Sequence, residues 1–157
     1  VVAGEVEAVI ASLERRHPRR KGTAMSDSKI EIIQTIYKAF GEGDLPTILE
    51  HLAEDVDWAS EAESTVAPWH GVHRGKAQVP KFFAALGSSA DVLRFEPLTF
   101  AANDRDVLVV VRFGLRVRAT GRAGEMDIHH WWRFRGGKIA FYRGTEDTAL
   151  TARLFAA

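Results

Sequence analysis

Cysteine is absent from all 157 residues. That removes disulfide staples, thiolate nucleophiles and every zinc or iron–sulfur site built on sulfur ligands, so the fold rests on packing alone. A net charge of one sign is also missing, because 21 Lys and Arg balance 21 Asp and Glu. With no global field to gather a polyanion, nucleic acid is not the expected partner. No run of about 18 apolar residues occurs and no positive-then-apolar start, so neither a membrane span nor a signal segment is expected, and cytoplasm is the simplest location. Several motifs are missing too: a phosphate-binding glycine loop, a dinucleotide fingerprint, paired metalloprotease histidines and a nucleophile elbow. Gly121-Arg-Ala-Gly124 reads as a turn, since a nucleotide loop needs a following helix and a strand pattern follows here. What remains is His and carboxylate chemistry without a cofactor, or binding.

The length suits one domain, and 46% hydrophobic with 27% charged residues is an ordinary globular balance. Residues 1–24 stand apart. Val2, Val6, Val9, Ile10 and Leu13 make a short apolar stripe, and Arg15-Arg-His-Pro-Arg-Arg-Lys21 closes it with positive charge. This segment reads as an N-terminal extension, an expression remnant, or an accessory helix with a basic linker, and residues 25–157 as the functional domain. Ile30, Ile33, Tyr37 and Phe40 recur at helical spacing, with Ser28 and Glu31 placed as a capping box and Gly41 to Asp44 as the stop. Pro46 suits a first helical turn, and Ile48, Leu49 and Leu52 give a second helix its apolar side. A short strand is expected at 56–59, a long connection over 60–75, and a third helix over 76–86 that buries Val79, Phe82, Phe83 and Leu86.

From there β-forming segments dominate, at about 91–101, 106–119, 125–135 and 138–146, separated by turn signals. Val107, Val109, Val111, Phe113, Leu115 and Val117 alternate with a set that includes Arg112, Arg116 and Arg118, so one sheet face is core and the other charged. The pattern predicts an α+β fold: a conical, curved, mixed or antiparallel sheet wrapped around three N-terminal helices.

Such a sheet encloses either a filled core or a small-molecule cavity. In Met126-Asp-Ile-His-His-Trp-Trp-Arg-Phe134 the more apolar alternate set contains His130 and Trp132, which places His130 inside and His129 outside. An interior histidine serves as a base, as a donor to a ligand carbonyl, or as a satisfied core residue. On the last strand one face carries Ala140, Tyr142, Gly144 and Glu146, and the other Ile139, Phe141, Arg143 and Thr145; periodicity does not choose between them. If the first faces inward, Tyr142 supplies a hydroxyl, Gly144 space, and Glu146 or Asp147 a carboxylate. Arg143 with Asp147 reads as a structural ion pair. Trp58, Trp69 and His73 are candidates for a ligand wall. His70 and His73 have no strong metal-ligand spacing with His130 or Asp57, so no metal is expected.

Tyr37-Lys-Ala-Phe-Gly-Glu-Gly-Asp-Leu, Leu52-Ala-Glu-Asp-Val-Asp-Trp58, Gly71-Val-His-Arg-Gly75 before Val79-Pro-Lys-Phe-Phe, and Gly137-Lys-Ile-Ala-Phe-Tyr-Arg143 with Asp147 together resemble the nuclear transport factor two-like superfamily. The match, over about residues 28–152, is to its SnoaL-like branch, which contains polyketide cyclases. The resemblance implies the conical fold, frequent homodimers through the exposed sheet face, and a pocket for a hydrophobic small molecule. It does not imply one activity. In the ketosteroid isomerase-like pattern the first-helix tyrosine matches about Ile36 and the proton-abstracting aspartate about Ser60. In the limonene epoxide hydrolase-like pattern an aromatic matches Tyr142, but its acid falls on Gly144. The cyclase-like pattern implies a cofactor-independent acid–base reaction on a carbonyl or polyketide-like substrate. Its interior histidine falls on His130, as the base that removes an acidic proton, and its terminal aspartate on Asp147, with Glu146 adjacent and Tyr142 or Trp69 as pocket wall; Trp58, His73 and Trp132 join them as ligand-binding candidates read from the residues. The competing expectation is a noncatalytic hydrophobic-ligand binder or dimeric interaction domain.

Overall fold

The structure, a computed structural model, describes residues 24–63 and 66–156. The stripe and basic cluster of the N-terminal segment lie outside the described residues. Helix α1 (Ala24–Glu42) is already helical at Ala24. Ser28 therefore sits inside it, its hydroxyl donating back to the carbonyl of Met25 at 2.9 Å, and does not cap it as the sequence suggested. Ile33, Ile36, Tyr37 and Ala39 are its buried face. The helix stops where Gly43 takes φ 72°. Gly43 N–H then bonds Phe40 O and Asp44 N–H bonds Ala39 O, the paired bonds of a Schellman ending.

Asp44 immediately caps α2 (Leu45–Glu50), accepting from Thr47 N at 3.1 Å and from its hydroxyl at 2.5 Å, with Pro46 in the first turn as expected. Those bonds hold the Asp44 carboxyl below its ordinary pKa. The helix is shorter than its apolar spacing suggested. Leu52, expected on its face, instead opens β1 (Leu52–Ser60) and pairs with Ile139. The connection 60–75 contains a further strand, β2 (Gly71–Arg74), before a 3-10 turn (Lys76–Gln78) and α3 (Val79–Ser89). Two strands thus precede the third helix: the one expected at 56–59, longer than its pattern suggested, and β2, which falls in the expected connection.

Strands β3 (Ala90–Ala102), β4 (Asp106–Val117), β5 (Ala123–Arg135) and β6 (Lys138–Thr145) form the anticipated antiparallel meander. The sheet order is β2-β1-β6-β5-β4-β3, and only the β1–β6 pair is parallel. The sheet is mixed and curves around the helices without closing into a barrel, so the α+β conical reading holds. All six odd-numbered apolar residues of β4 from Val107 to Val117 are buried, as their alternation predicted.

The opposite face accounts for the balanced charge. Arg94 pairs with Glu96 and Glu125, Arg112 with Glu125 and Asp127, and Arg133 with Asp106, all across or along strands. These pairs are largely exposed, so each adds little stability; their effect is to leave the outer face without a field of one sign. No helix of the described residues is long and apolar enough to cross a membrane.

The last strand ends in α4 (Thr148–Phe155). Asp147 caps it, its carboxylate accepting from Leu150 N at 2.9 Å. Arg143, the partner expected for Asp147, bonds Asp57 and Glu61 instead, at 2.9 and 2.8 Å, with its guanidinium 4.2 Å from the centre of the Phe141 ring. The reason is strand geometry, since Arg143 points to the outer face and Asp147 lies beyond the strand. Asp147→Ala should cost about 1 kcal/mol of unfolding free energy in urea, the usual value of an N-cap. No change would mean that α4 does not depend on it.

Candidate functional site

Two rows of inward side chains run across the sheet, set by strand register. In the first, Trp58 of β1 lies beside Tyr142 of β6, and Tyr142 beside Trp132 of β5. Their rings stack into a wall, with Tyr142 centred 4.1 Å from Trp58 and 4.4 Å from Trp132. In the second row Ser60 lies beside Gly144, and Gly144 beside His130. Glycine, with no side chain between two polar residues, makes room for the Tyr142 ring, whose hydroxyl oxygen would lie 2.5 Å from a Cβ on Gly144.

Helices close the space above these rows. Tyr37 and Phe40 of α1, Phe82 and Leu86 of α3, and Trp69 from the β1–β2 connection complete a cavity of about 80 Å³, counted as room for the centres of water molecules. One water needs about 10–15 Å³ on that measure. The cone is therefore hollow, and its wall is mostly aromatic. Thr145, an exposed residue, and Glu146 complete the lining at the end of β6.

Inside, a hydrogen-bonded chain links three residues. Trp132 Nε1–H donates to the Tyr37 hydroxyl at 3.3 Å, and that oxygen lies 2.8 Å from His130 Nδ1. An indole can only donate, so the arrangement that leaves no buried O–H unpartnered has Tyr37 donating onward to Nδ1. The proton of His130 then sits on Nε2, which makes no hydrogen bond among the described residues. Burial, with a smaller contribution from His129, pulls His130 down to a pKa of about 3. Burial likewise pushes Tyr37 well above its ordinary value, and burial together with Glu146 raises Tyr142. All three groups are neutral at pH 7. The ring of this cavity-lining residue therefore carries a neutral N–H that is able to donate a hydrogen bond.

Glu146 is the one acidic side chain among the described lining residues. One of its oxygens accepts from Nε2–H of His70, and the two side chains are only 7% and 2% exposed.

Of the residues singled out in the sequence, His130, Glu146, Trp58, Trp69, Trp132 and Tyr142 are brought together around this cavity. Asp147 is not; it is the cap of α4. His73 is not in the lining either. It sits beside Trp58 in the sheet and packs its ring edge-on to Phe82 at 6.0 Å, with burial first and Lys81 second lowering its pKa. Its Nδ1 is buried without a hydrogen bond among the described residues. No group of three metal-ligating side chains occurs among the described residues. Two site residues escaped the sequence reading. Tyr37 looked like one more apolar position of α1, and its place beside Ile36, the position matched to the first-helix tyrosine, was the available signal. His70 was weighed only as a metal ligand.

A family model described as the SnoaL-like domain matches residues 33–142. The chain belongs to the SnoaL-like family. No curated protein matches it in sequence. Among solved structures, this SnoaL-like domain is similar to an NTF2-like protein of unknown function from Burkholderia pseudomallei, at 26% identity and TM-score 0.75 over 82% of this chain and 97% of the other. An NTF2-like protein from Burkholderia xenovorans is similar at 29% identity and TM-score 0.75, over 83% and 98% of the two chains. A third, from Burkholderia thailandensis, has 25% identity and TM-score 0.73 over 81% and 96%. These likenesses place the fold in the nuclear transport factor two-like superfamily.

The depressed pKa of His130 makes a stability prediction for the SnoaL-like domain. Below pH 6.5 the unfolded chain takes up a proton that the folded chain refuses until about pH 3. Stability from this group is thus complete above pH 6.5 and is lost as pH falls, at up to about 1.4 kcal/mol per pH unit. Urea unfolding of wild type and His130→Gln at pH 7, 6, 5 and 4 should show the gap between them narrowing as pH falls. A constant gap would show that His130 does not titrate differently on folding.

Proposed function

We propose that this SnoaL-like domain is a cofactor-independent acid–base enzyme, a cyclase or isomerase, acting on a small, flat, hydrophobic carbonyl compound. The observation that carries the reading is the Trp132–Tyr37–His130 chain, which leaves the Nε2–H of His130 unengaged among the described residues, in the wall of an aromatic cavity whose lining also holds one carboxylate. A satisfied core histidine has no need of an unfilled cavity beside it, and a cavity meant only for apolar ligand has no need of a buried polar chain. The ligand carbonyl accepts from His130, while the Trp58–Tyr142–Trp132 wall covers the flat face of the compound. Polarising the carbonyl acidifies the neighbouring C–H, the first requirement of isomerisation or of ring closure through an enolate.

Binding separates this from a purely apolar site. 2-Tetralone and its hydrocarbon counterpart tetralin have nearly the same shape, and Trp58, Trp69 and Trp132 report either through fluorescence. His130→Ala should weaken 2-tetralone about 10-fold, the worth of one hydrogen bond, and leave tetralin unchanged. Equal loss for both compounds would reduce His130 to a packing residue, and failure of wild type to bind either would remove the small-molecule reading.

The outer face supports a second proposal, a homodimer. Leu108 and Trp131 lie opposite each other on β4 and β5 and are 51% and 37% exposed, and Trp131 packs on Phe141 at 5.0 Å with Arg133 over its ring. This apolar patch amid paired charges suits a self-complementary contact. Sedimentation equilibrium should give a dimer for wild type and a monomer for Trp131→Glu; a wild-type monomer at high micromolar concentration would end the proposal.

A further inference from the structure

A ligand must cross the lining to reach the cavity, and the lining differs in exposure from place to place. Most of its side chains are buried. Thr145 is exposed, but it pairs with His129 on the outer face of the sheet, so its side chain meets solvent on the side away from the cavity. The Glu146 side chain is 7% exposed and bonded to His70. Phe40 of α1 and Phe83 of α3 are different: both line the cavity, and both are half-buried rings in contact with solvent.

These two rings meet each other between the helices, with centres 6.1 Å apart and planes tilted by 43°. The helices themselves are anchored elsewhere, α1 on α2 and β3, and α3 on β2 and β3. Behind Phe40 lies Phe95 at 5.0 Å, and behind Phe83 lies Trp58 at 5.6 Å. Trp58 in turn stacks on Tyr142, so aromatic faces run from the half-buried pair to the Trp58–Tyr142–Trp132 wall. Parting one ring pair costs little, because each Phe turns about two side-chain torsions and the contact is a weak one. Parting the helices would disturb Ile33 and Ile36 on one side and Val79 and Phe82 on the other, all buried. The rings yield more readily than the backbone.

We propose that Phe40 and Phe83 form the port of the cavity and select its ligands by thickness. A planar ring system passes as the two rings turn aside, one aromatic face replacing another, whereas a globular compound of equal size has to force the helices apart. This rests on the small-molecule reading above and adds the feature that separates compounds of equal polarity. His130 tells a ketone from a hydrocarbon inside the cavity; the port decides which ketones arrive there. Entry and exit cross the same barrier, so a change at the port moves both rates together and leaves affinity nearly constant. A change in the buried wall acts on the bound state, and hence on exit.

Stopped-flow tryptophan fluorescence with the planar 2-tetralone and the globular 2-adamantanone, ketones of equal carbon number, tests the port. Wild type should take up 2-adamantanone about 10-fold more slowly than 2-tetralone, or more slowly still. Phe40→Leu and Phe83→Leu should each raise the association and dissociation rates of 2-tetralone about fivefold, the worth of one aromatic contact, with Kd kept within about threefold. Both should also narrow the difference between the two ketones. Phe113→Leu, a change in the buried wall on β4, should raise dissociation alone. If one port variant fails to fold, the other carries the same expectation. Port variants whose rates stay within about twofold of wild type while 2-tetralone still binds overturn the proposal and leave the carbonyl reading standing. An association rate raised as much by Phe113→Leu overturns it as well, since the effect would then be a general loosening. Equal uptake of the two ketones by wild type, or continued refusal of 2-adamantanone by both port variants, overturns selection at the port. Wild type that binds neither ketone ends both readings.

Discussion

Strand β6 is hydrogen-bonded to antiparallel β5 on one side and parallel β1 on the other, and the register of those two ladders decides which side chains can meet. It puts Tyr142 between Trp58 and Trp132, and Gly144 between Ser60 and His130. A slip by one residue would turn Tyr142 and Gly144 outward together and bring Phe141 and Arg143 in. The outer face secures the register. Arg143 reaches across to Asp57 and Glu61 and stacks on Phe141, while Lys138 Nζ donates to the Glu50 carbonyl at 2.6 Å at the other end of the strand.

The two faces of the sheet handle polarity in opposite ways. Outside, full charges are paired where water screens them and asks little of their geometry. Inside, His130, Tyr37 and Tyr142 are kept neutral by burial, and direction comes from the hydrogen bonds that run from Trp132 through Tyr37 to His130. The exception is the His70–Glu146 pair just beyond the end of β6, where a polar contact is made with little access to solvent.

Much of this fold could be read from alternation. The inward set of β4, the inward His130 and the meander all follow from period-two patterns in single strands. The rest required knowledge of neighbours. On β6, an extra residue at Ala140 in the pairing with β5 breaks the alternation, so that Ile139 is buried on the same side as Tyr142 and Gly144, against the grouping that strict period two gives. Leu52 satisfied a helical period and a strand position equally well, and only its partner Ile139 decides. Tyr37 meets His130 across 93 positions and His70 meets Glu146 across 76, and no local spacing encodes either contact. Asp147 had the right residue type in the wrong geometry, one position beyond the side chain that reaches the cavity.

The parallel β1–β6 pair also has a temporal consequence. The hairpins from β3 to β6 close over short turns and form locally, whereas Asp57 and Arg143 are 86 positions apart, so their ladder must close most of the domain as a single loop. The meander is then the early part of the folding reaction and the β1–β6 seam the late part. Both walls of the cavity, the Trp58 side and the His130 side, exist together only after that seam has formed. An occupant of the cavity accordingly acts on the last step, slowing reopening of the seam and leaving the speed of the meander unchanged.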